Sequence, residues 1–261
     1  MTAPHVSVVT SRENPLLVRV HRLARDAIAY RRLGVIWLEG DHLCRAALAR
    51  SHRPQHAIVS ESAWRDDGLR ALALAAPRVT RVPATLMRDL GTLESPAHIG
   101  FLLPWAESGG VRPGVSSVVL DRIQDAGNVG TILRSAAAFG VAQVVAIKGT
   151  AALWSPKVLR AGMGAHFALH LAEGAQPADV QALALPLVAT SSHARQALPD
   201  AALPSPCAWV FGHEGQGIAA ELLQQCALQV RIPQPGGEES LNVASAAAVC
   251  LYESSCRRGP S

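Results

Sequence analysis

From Ser116 onward, six short apolar runs of strand length alternate with helix-like stretches: Ser116–Leu120, Gln143–Ile147, Phe167–Leu171, Leu187–Thr190, Ala208–Phe211 and Leu228–Ile232. Runs this short, with no polar alternation, read as strands buried on both faces, the condition of a mostly parallel sheet covered by helices. Helices are expected at Val129–Phe139, after Ser155 with Pro156 in the first turn, at Ala219–Gln225, and from about Leu241 to Cys256. Gly140 stands where a left-handed helix stop belongs. The expected fold class is therefore α/β.

The stretch Trp105–Gly114 (WAESGGVRPG) is rich in Gly and Pro and separates this pattern from an earlier one. It divides the chain into a domain over 1–105, a linker over 106–114 and a second domain over 115–261. Within the first domain the spacing predicts a helix over Pro15–Ala29, a strand at Val35–Glu39, a helix at Leu43–Arg50 and a strand at His56–Ser60. A helix at Trp64–Ala75 and strands at Arg78–Val82 and His98–Leu103 complete a small α/β unit.

Charge is unevenly shared. Residues 1–105 hold 14 Arg against 9 acidic residues, whereas residues 106–261 hold 10 basic against 11 acidic ones, so the net +4 arises wholly in the first domain. Such asymmetry points toward a nucleic-acid partner, and Arg12, Arg19, Arg22, Arg25, Arg31 and Arg32 are the candidate RNA contacts. The same spacing also suits an ordinary solvated helix face. No apolar run approaches the roughly 20 residues a membrane span needs, and the start of the chain lacks a signal-peptide layout. These readings predict a soluble, cytoplasmic protein with no membrane partner. Cys44, Cys207, Cys226, Cys250 and Cys256 form no CxxC pair or metal-ligand spacing, so they read as thiols in a reducing compartment and no metal is expected.

Three loops, each following an expected strand of the second domain, hold the unusual residues, and ligands of open α/β sheets bind beyond the carboxyl ends of strands. In LDRIQDAGNVGTILRSAAAFG, Asn128 and Gly130 lie at a strand-to-helix turn and Arg134 one turn further on. A glycine there permits close backbone approach, a helix N-terminus offers N–H groups to an anion, and an Arg adds a fork of donors. An ordinary turn followed by a surface arginine fits equally well. In FGHEGQGI, glycines bracket Glu214 in the order GxxGxG, which is neither the dinucleotide fingerprint nor a phosphate loop. The loop either receives a ligand against its backbone or is a tight turn with a solvated carboxylate. His213 lacks a second ligand at metal spacing. In RIPQPGGEESLNVASAAAVCLYE, Ser240 and Asn242 open an alanine-rich helix, with Ser240 readable as a plain N-cap.

Together, NVGTILR, FGHEGQGI and IP…ESLNVASAAA, in this order and spacing, closely resemble the three motifs of SpoU-type (TrmH-like) ribose methyltransferases of the SPOUT superfamily. SPKVLRAGMGAHF (Ser155–Phe167) is similar to the segment that family carries between its first two motifs. More loosely, SRENPLLVRVHRLA and WLEGDHL resemble the family's small substrate-binding domain, itself similar to ribosomal proteins that grip kinked RNA. The resemblance implies a deep trefoil knot, a rare exception to the rule against threaded chains, and a homodimer with an S-adenosylmethionine pocket formed at the knot. It carries cofactor contacts onto Thr190, Ser191, Gly212, Glu214, Gly215, Ile232, Leu241, Asn242 and Ala246. It carries catalysis or target positioning onto Asn128, Arg134, Glu214, Ser240 and Asn242. His213 stands where the family often has Asn, and VASAAA stands for the usual VSVAAA. The function implied is methyl transfer to a ribose 2′-hydroxyl in ribosomal RNA, with the same chemistry on transfer RNA, or a non-catalytic RNA-binding protein of the same fold, as the alternatives.

Overall fold

The computed structural model describes residues 3–92, 96–107, 109–236 and 240–257. The chain divides into two units, one of residues 1–106 with 154–159 and the other of 107–153 with 160–261.

The first unit is built on five strands, β1 (His5–Val8), β2 (Val35–Glu39), β3 (His56–Ser60), β4 (Arg78–Val82) and β5 (Ile99–Pro104), in the order β1-β4-β3-β5-β2. The first three in that order run parallel, whereas β5 pairs antiparallel with both β3 and β2. Its helices are α1 (Pro15–Arg25), α2 (Ala29–Leu33), α3 (Asp41–Ala49), α4 (Asp67–Ala73) and α5 (Ala84–Leu90). In α1, Pro15 opens the first turn, the Asn14 side chain accepts from the Leu16 N–H, and Leu17, Val20, Leu23 and Ala24 form the buried face.

Two helices expected as single pieces are broken, in both cases at an aspartate. Asp26 is extended and its carboxylate accepts from the Ile28 N–H, which ends α1 before Ala29. Asp66 caps the Leu69 N–H, separating a short 3-10 turn at Ala63–Arg65 from α4. Short Asp side chains compete with the backbone for hydrogen bonds in this way. The edge strand β1, four largely exposed residues, and α5 had no counterpart in the expected elements.

The second unit contains β6 (Ser117–Asp121), α6 (Ala126–Ala138), β7 (Gln143–Ile147), α7 (Pro156–Gly162), β8 (His170–Ala175), β9 (Leu187–Thr190), β10 (Gln196–Ala197), β11 (Ala208–Gly212), α8 (Ala220–Leu223), β12 (Leu228–Arg231) and α9 (Val243–Arg257). Residues 156–159 of α7 group with the first unit. Every strand pairing is parallel and the order is β10-β12-β9-β11-β6-β7-β8. All residues of β6 and β7 are buried, as their unbroken apolar runs require. Val119, Val145, Leu187 and Val210 sit in one apolar cluster. Each such side chain contributes about 1.5–3 kcal/mol when fully removed from water.

Some boundaries moved for local reasons. The Asp125 carboxylate caps the Asn128 N–H at 2.7 Å, so α6 starts three residues before the expected Val129. A 3-10 turn at Ala165–Ala168 occupies the start of the strand expected over Phe167–Leu171, which forms later as β8. Gly140 has the positive φ expected of a helix stop, +72°.

Successive strands β6, β7 and β8 spread to one side, and the chain then returns to build β9, β11 and β12 on the other. The reversal lies between the neighbours β6 and β11, the position at which open α/β sheets bind ligands.

Candidate functional site

The loops following β6, β11 and β12 meet at that reversal. β11 ends at Gly212 opposite Asp121, the last residue of β6. The following loop turns sharply back: His213 and Gly217 exchange two backbone hydrogen bonds, of 3.1 and 2.8 Å. A Cβ on Gly212 would lie 2.3 Å from the Gly217 carbonyl carbon, so only glycine allows this approach. The His213 Nδ1 accepts from the Gly215 and Gln216 N–H groups at 3.0 and 3.2 Å. These two bonds make His213 an organiser of the loop.

Glu214, at the tip of this loop, reaches the start of α6. Its carboxylate accepts from the backbone N–H groups of Gln124 (3.4 Å) and Asp125 (3.3 Å) and from Asn128 Nδ2 (3.0 Å). The helix N-terminus read from the sequence as a place for an anion therefore holds one from the protein itself. Partial desolvation acts to raise the Glu214 pKa, but the Asn128 amide and the N–H groups of residues 214, 125 and 124 outweigh it, and the net shift is downward.

The chain of contacts continues. Asn242 Nδ2 donates to Asn128 Oδ1 at 2.9 Å, and Asn242 Oδ1 accepts from the Ala244 and Ser245 N–H groups at 2.9 and 3.2 Å. An ionised carboxylate can only accept, so it orients the Asn128 amide, which in turn orients that of Asn242. Asn242 is thus the N-cap of α9, and Ser240, the residue read as a possible cap, does not fill that role. Three segments separated by 86 and 114 residues are locked in one polar string, Glu214–Asn128–Asn242.

Arg134 lies one turn beyond Gly130 on α6, exposed, with no hydrogen bond or ion pair to any described residue. Gly130 was read as allowing close approach to a ligand. Its close neighbour is protein: a Cβ there would sit 2.4 Å from Ala161 Cβ and 2.8 Å from the Gly162 nitrogen. His166, fully buried, packs against Gly162 and bonds the Leu153 carbonyl through Nε2, and burial pushes its pKa down to about 4. The SPKVLRAGMGAHF segment thereby supports the helix that carries Asn128 and Arg134.

The residues carried over as cofactor contacts fall at the ends of adjacent strands. Thr190 ends β9, Gly212 ends β11 and Ile232 follows β12, with β9 between the other two. Ser191 N–H donates to the Val230 carbonyl. Gly215 is in the loop after β11. Leu241 precedes α9 and is 42% exposed, while Ala246 lies in the helix's first turns and donates its N–H to the Asn242 carbonyl. Ser240 is exposed; residues 237–239, just before it, lie outside those described.

The six arginines of the first unit are more engaged than their spacing suggested. Arg19 donates to the Leu33 carbonyl, and Arg25 to those of Asp89, Leu90 and Gly91. Arg12 pairs with Asp89 at 2.6 Å, Arg22 and Arg32 both approach Asp26, and Arg31 bonds the Tyr30 hydroxyl. Sequence reasoning missed Asp121, Arg122, Asp125 and Gln216, which hold the loops in place. For Asp125 a signal existed, an Asp three residues before Asn128 at a helix start.

Among the described residues, no helix is long and apolar enough to cross a membrane, and no group of three or more His, Cys, Asp or Glu could hold a metal.

A parallel sheet whose reversal gathers glycine-rich and amide-bearing loops defines an α/β protein that binds its ligand beyond the strand ends. The chain belongs to the SpoU rRNA methylase family, whose sequence model matches residues 116–252. It is 32% identical to an uncharacterized tRNA/rRNA methyltransferase of Synechocystis over 95% of this chain and 93% of that protein. It is 30% identical to the 23S rRNA (guanosine(2553)-2′-O)-methyltransferase RlmP of Bacillus subtilis, over 82% of this chain and 86% of the relative. The crystal structure of an AdoMet-bound rRNA methyltransferase from Sinorhizobium meliloti superposes with a TM-score of 0.83 at 25% identity, covering 98% of this chain and 99% of that one.

Proposed function

We propose that this protein transfers the methyl group of S-adenosylmethionine to a ribose 2′-hydroxyl of ribosomal RNA. The Glu214–Asn128–Asn242 string carries the reading, because it joins all three family motifs into one rigid frame at the sheet's ligand-binding edge. The relatives' activity on rRNA riboses supports the target.

The residues present suit the cofactor. Thr190, Gly212 and Ile232 present strand ends, the Cβ side of Gly217 is open space, and Ala244 to Ala248 offer only small side chains. Such a lining of backbone and small groups fits an uncharged nucleoside, with Ser191, Glu214, Gly215, Leu241, Asn242 and Ala246 completing the contacts. When bound, S-adenosylmethionine supplies a methyl already activated on a sulfonium.

The protein's share is alignment and management of the hydroxyl proton. Glu214 is a poor base, since the donors on its carboxylate stabilise the ionised form and hold its pKa down. Asn128 and Asn242 each spend their oxygen and one N–H within the frame, so they position rather than react. The guanidinium of Arg134, unbonded to any described residue, would clamp an RNA phosphate and stabilise charge developing on the 2′-oxygen. Ser240 orients the ribose. With the cofactor bound, the 2′-oxygen held by these residues would take the methyl group, and the hydroxyl proton would pass to a phosphate oxygen or to water.

The first unit would grip the RNA, chiefly through Arg12, Arg22 and Arg32, whose side chains stay half or more exposed. The knot, with the segment after β12 threaded through a loop, and the homodimer belong to the same reading. The exposed Val249 and Tyr252 on α9 supply an apolar face for a second copy. Ribosomal RNA as substrate implies the cytoplasm.

The decisive experiment incubates the protein and labelled S-adenosylmethionine with total RNA from a strain lacking this gene, then maps 2′-O-methylation. Label on a ribosomal RNA ribose is expected. Label in transfer RNA would overturn the target, and cofactor binding without any label would leave a non-catalytic RNA-binding protein.

A further inference from the structure

We infer that Arg122, forked on the buried carboxylate of Asp121 and reaching Gln216, is a positioning residue that holds the 213–217 loop, and with it Glu214, in the shape the cofactor end of the site needs. The inference rests on the function proposed above.

Asp121, 1% exposed, ends β6. Its carboxylate accepts from Arg122 Nε at 2.8 Å and Nη2 at 3.1 Å, and from the Ala219 N–H at 2.7 Å. The remaining Arg122 nitrogen, Nη1, donates to Gln216 Oε1 at 3.0 Å. One planar guanidinium thus joins the end of β6 to the loop after β11, which a lysine ammonium cannot do with the same geometry. Arg122 also sits at φ +58°, a region that residues bearing a Cβ avoid. Its side-chain stem lies against Gly149, where a Cβ would be 3.3 Å from Arg122 Cγ. Backbone and side chain are both committed to this one direction.

The loop is consequently fastened at three points along six residues: Glu214 to the start of α6, Gln216 to Arg122, and Ala219 to Asp121. Gly215 and Gly217, between these points, bond back to His213 within the same loop, and a Cβ on Gly217 would meet open space. Without the middle tie, Gln216 keeps its bond to His213 within the loop but loses its link to the end of β6. Arg122 itself touches neither reacting group. A purely structural alternative is that Arg122 only neutralises Asp121.

Arg122→Lys separates the two, because it keeps a positive charge beside Asp121 and loses the fork to Gln216. Gln216→Ala removes the tie from the other end and leaves Asp121 untouched. Full-length wild type, both single variants and the double variant would be compared by amide hydrogen exchange across residues 213–218 and by calorimetric titration with S-adenosylmethionine. The expected result is exchange about tenfold faster in each single variant, cofactor affinity weakened about tenfold, and little further loss in the double variant, since both substitutions cut the same tie. Unchanged exchange in both single variants would overturn the tie. Faster exchange with unchanged affinity would overturn the positioning role. If the wild type bound no S-adenosylmethionine, the proposed function would fall, while the exchange comparison would still decide whether Arg122 holds the loop.

Discussion

Replacing Gly130 by Ala tests the packing beneath the site in a way that sets two effects of opposite sign against each other. Gly130 lies inside α6, where Ala is favoured over Gly by about 1 kcal/mol on intrinsic helix propensity. Propensity alone therefore predicts a more stable protein. The added methyl would sit 2.4 Å from Ala161 Cβ, 2.8 Å from the Gly162 nitrogen and 2.9 Å from the Ala161 carbonyl carbon. Carbon atoms pack best at about 3.5–4.0 Å, so the helices must part by roughly an ångström, and no flexible side-chain end is available to yield. Overpacking of this kind costs typically about 1–3 kcal/mol, and backbone contacts place this site toward the upper end. The net effect is a loss of about 1–2 kcal/mol, read as a melting temperature lower by roughly 2–8 °C in a heat-unfolding scan. Adding Ala161→Gly would remove the shortest contact but not the two backbone ones, so rescue should be partial. A Gly130→Ala protein as stable as the wild type, or more so, would refute the argument that α6 is seated by backbone contact.

Three further outcomes are expected. Arg134→Ala should lower methyl transfer by roughly 10²–10³-fold while leaving S-adenosylmethionine affinity within about twofold, because the guanidinium acts on the RNA side; near-full turnover would remove Arg134 from the site. His213→Asn should retain cofactor affinity, since Asn Oδ1 can accept from the Gly215 and Gln216 N–H groups as Nδ1 does, whereas His213→Ala should weaken it severalfold in the same titration. His166 is buried and neutral, with a pKa pushed from 6.5 to about 4, so below pH 6.5 the unfolded chain takes up a proton that the folded one refuses. Stability is therefore undiminished above pH 6.5 and falls toward pH 4, the loss reaching roughly 3 kcal/mol there; a urea-unfolding series in which His166→Gln leaves that slope unchanged would contradict it.

What could be read in the sequence follows the range of the interactions. The strands at Val35–Glu39, His56–Ser60, Arg78–Val82, Gln143–Ile147 and Leu187–Thr190 form at their expected positions because buried apolar runs specify them locally. Helix ends moved where one Asp side chain decided them, at Asp26, Asp66 and Asp125. β1 and β10 depend on pairing with β4 and β12 rather than on their own composition, so their patterns were silent. Likewise, Asn128, Glu214 and Asn242 stood out within their own loops, but their mutual bonds span 86 and 114 residues and exist only once the strand order is fixed. Arg122 offered no signal, since its role needs Asp121, Gln216 and a left-handed backbone at once.

The bonding of the frame also constrains the chemistry. Three N–H donors hold the Glu214 pKa down and amide oxygens are not bases, so what the frame offers an incoming group is chiefly the spare N–H on Asn128 and on Asn242. Arg134 adds only donors. Among these four residues, therefore, none is a base suited to the 2′-hydroxyl proton, while several groups can hold an anion. A site so composed lowers the barrier by placing the ribose and gathering negative charge, and it leaves the proton to an oxygen that arrives with the RNA or to water. That division explains why neutral amides serve here: a frame that must hold its geometry through the reaction is best made of groups that do not change charge.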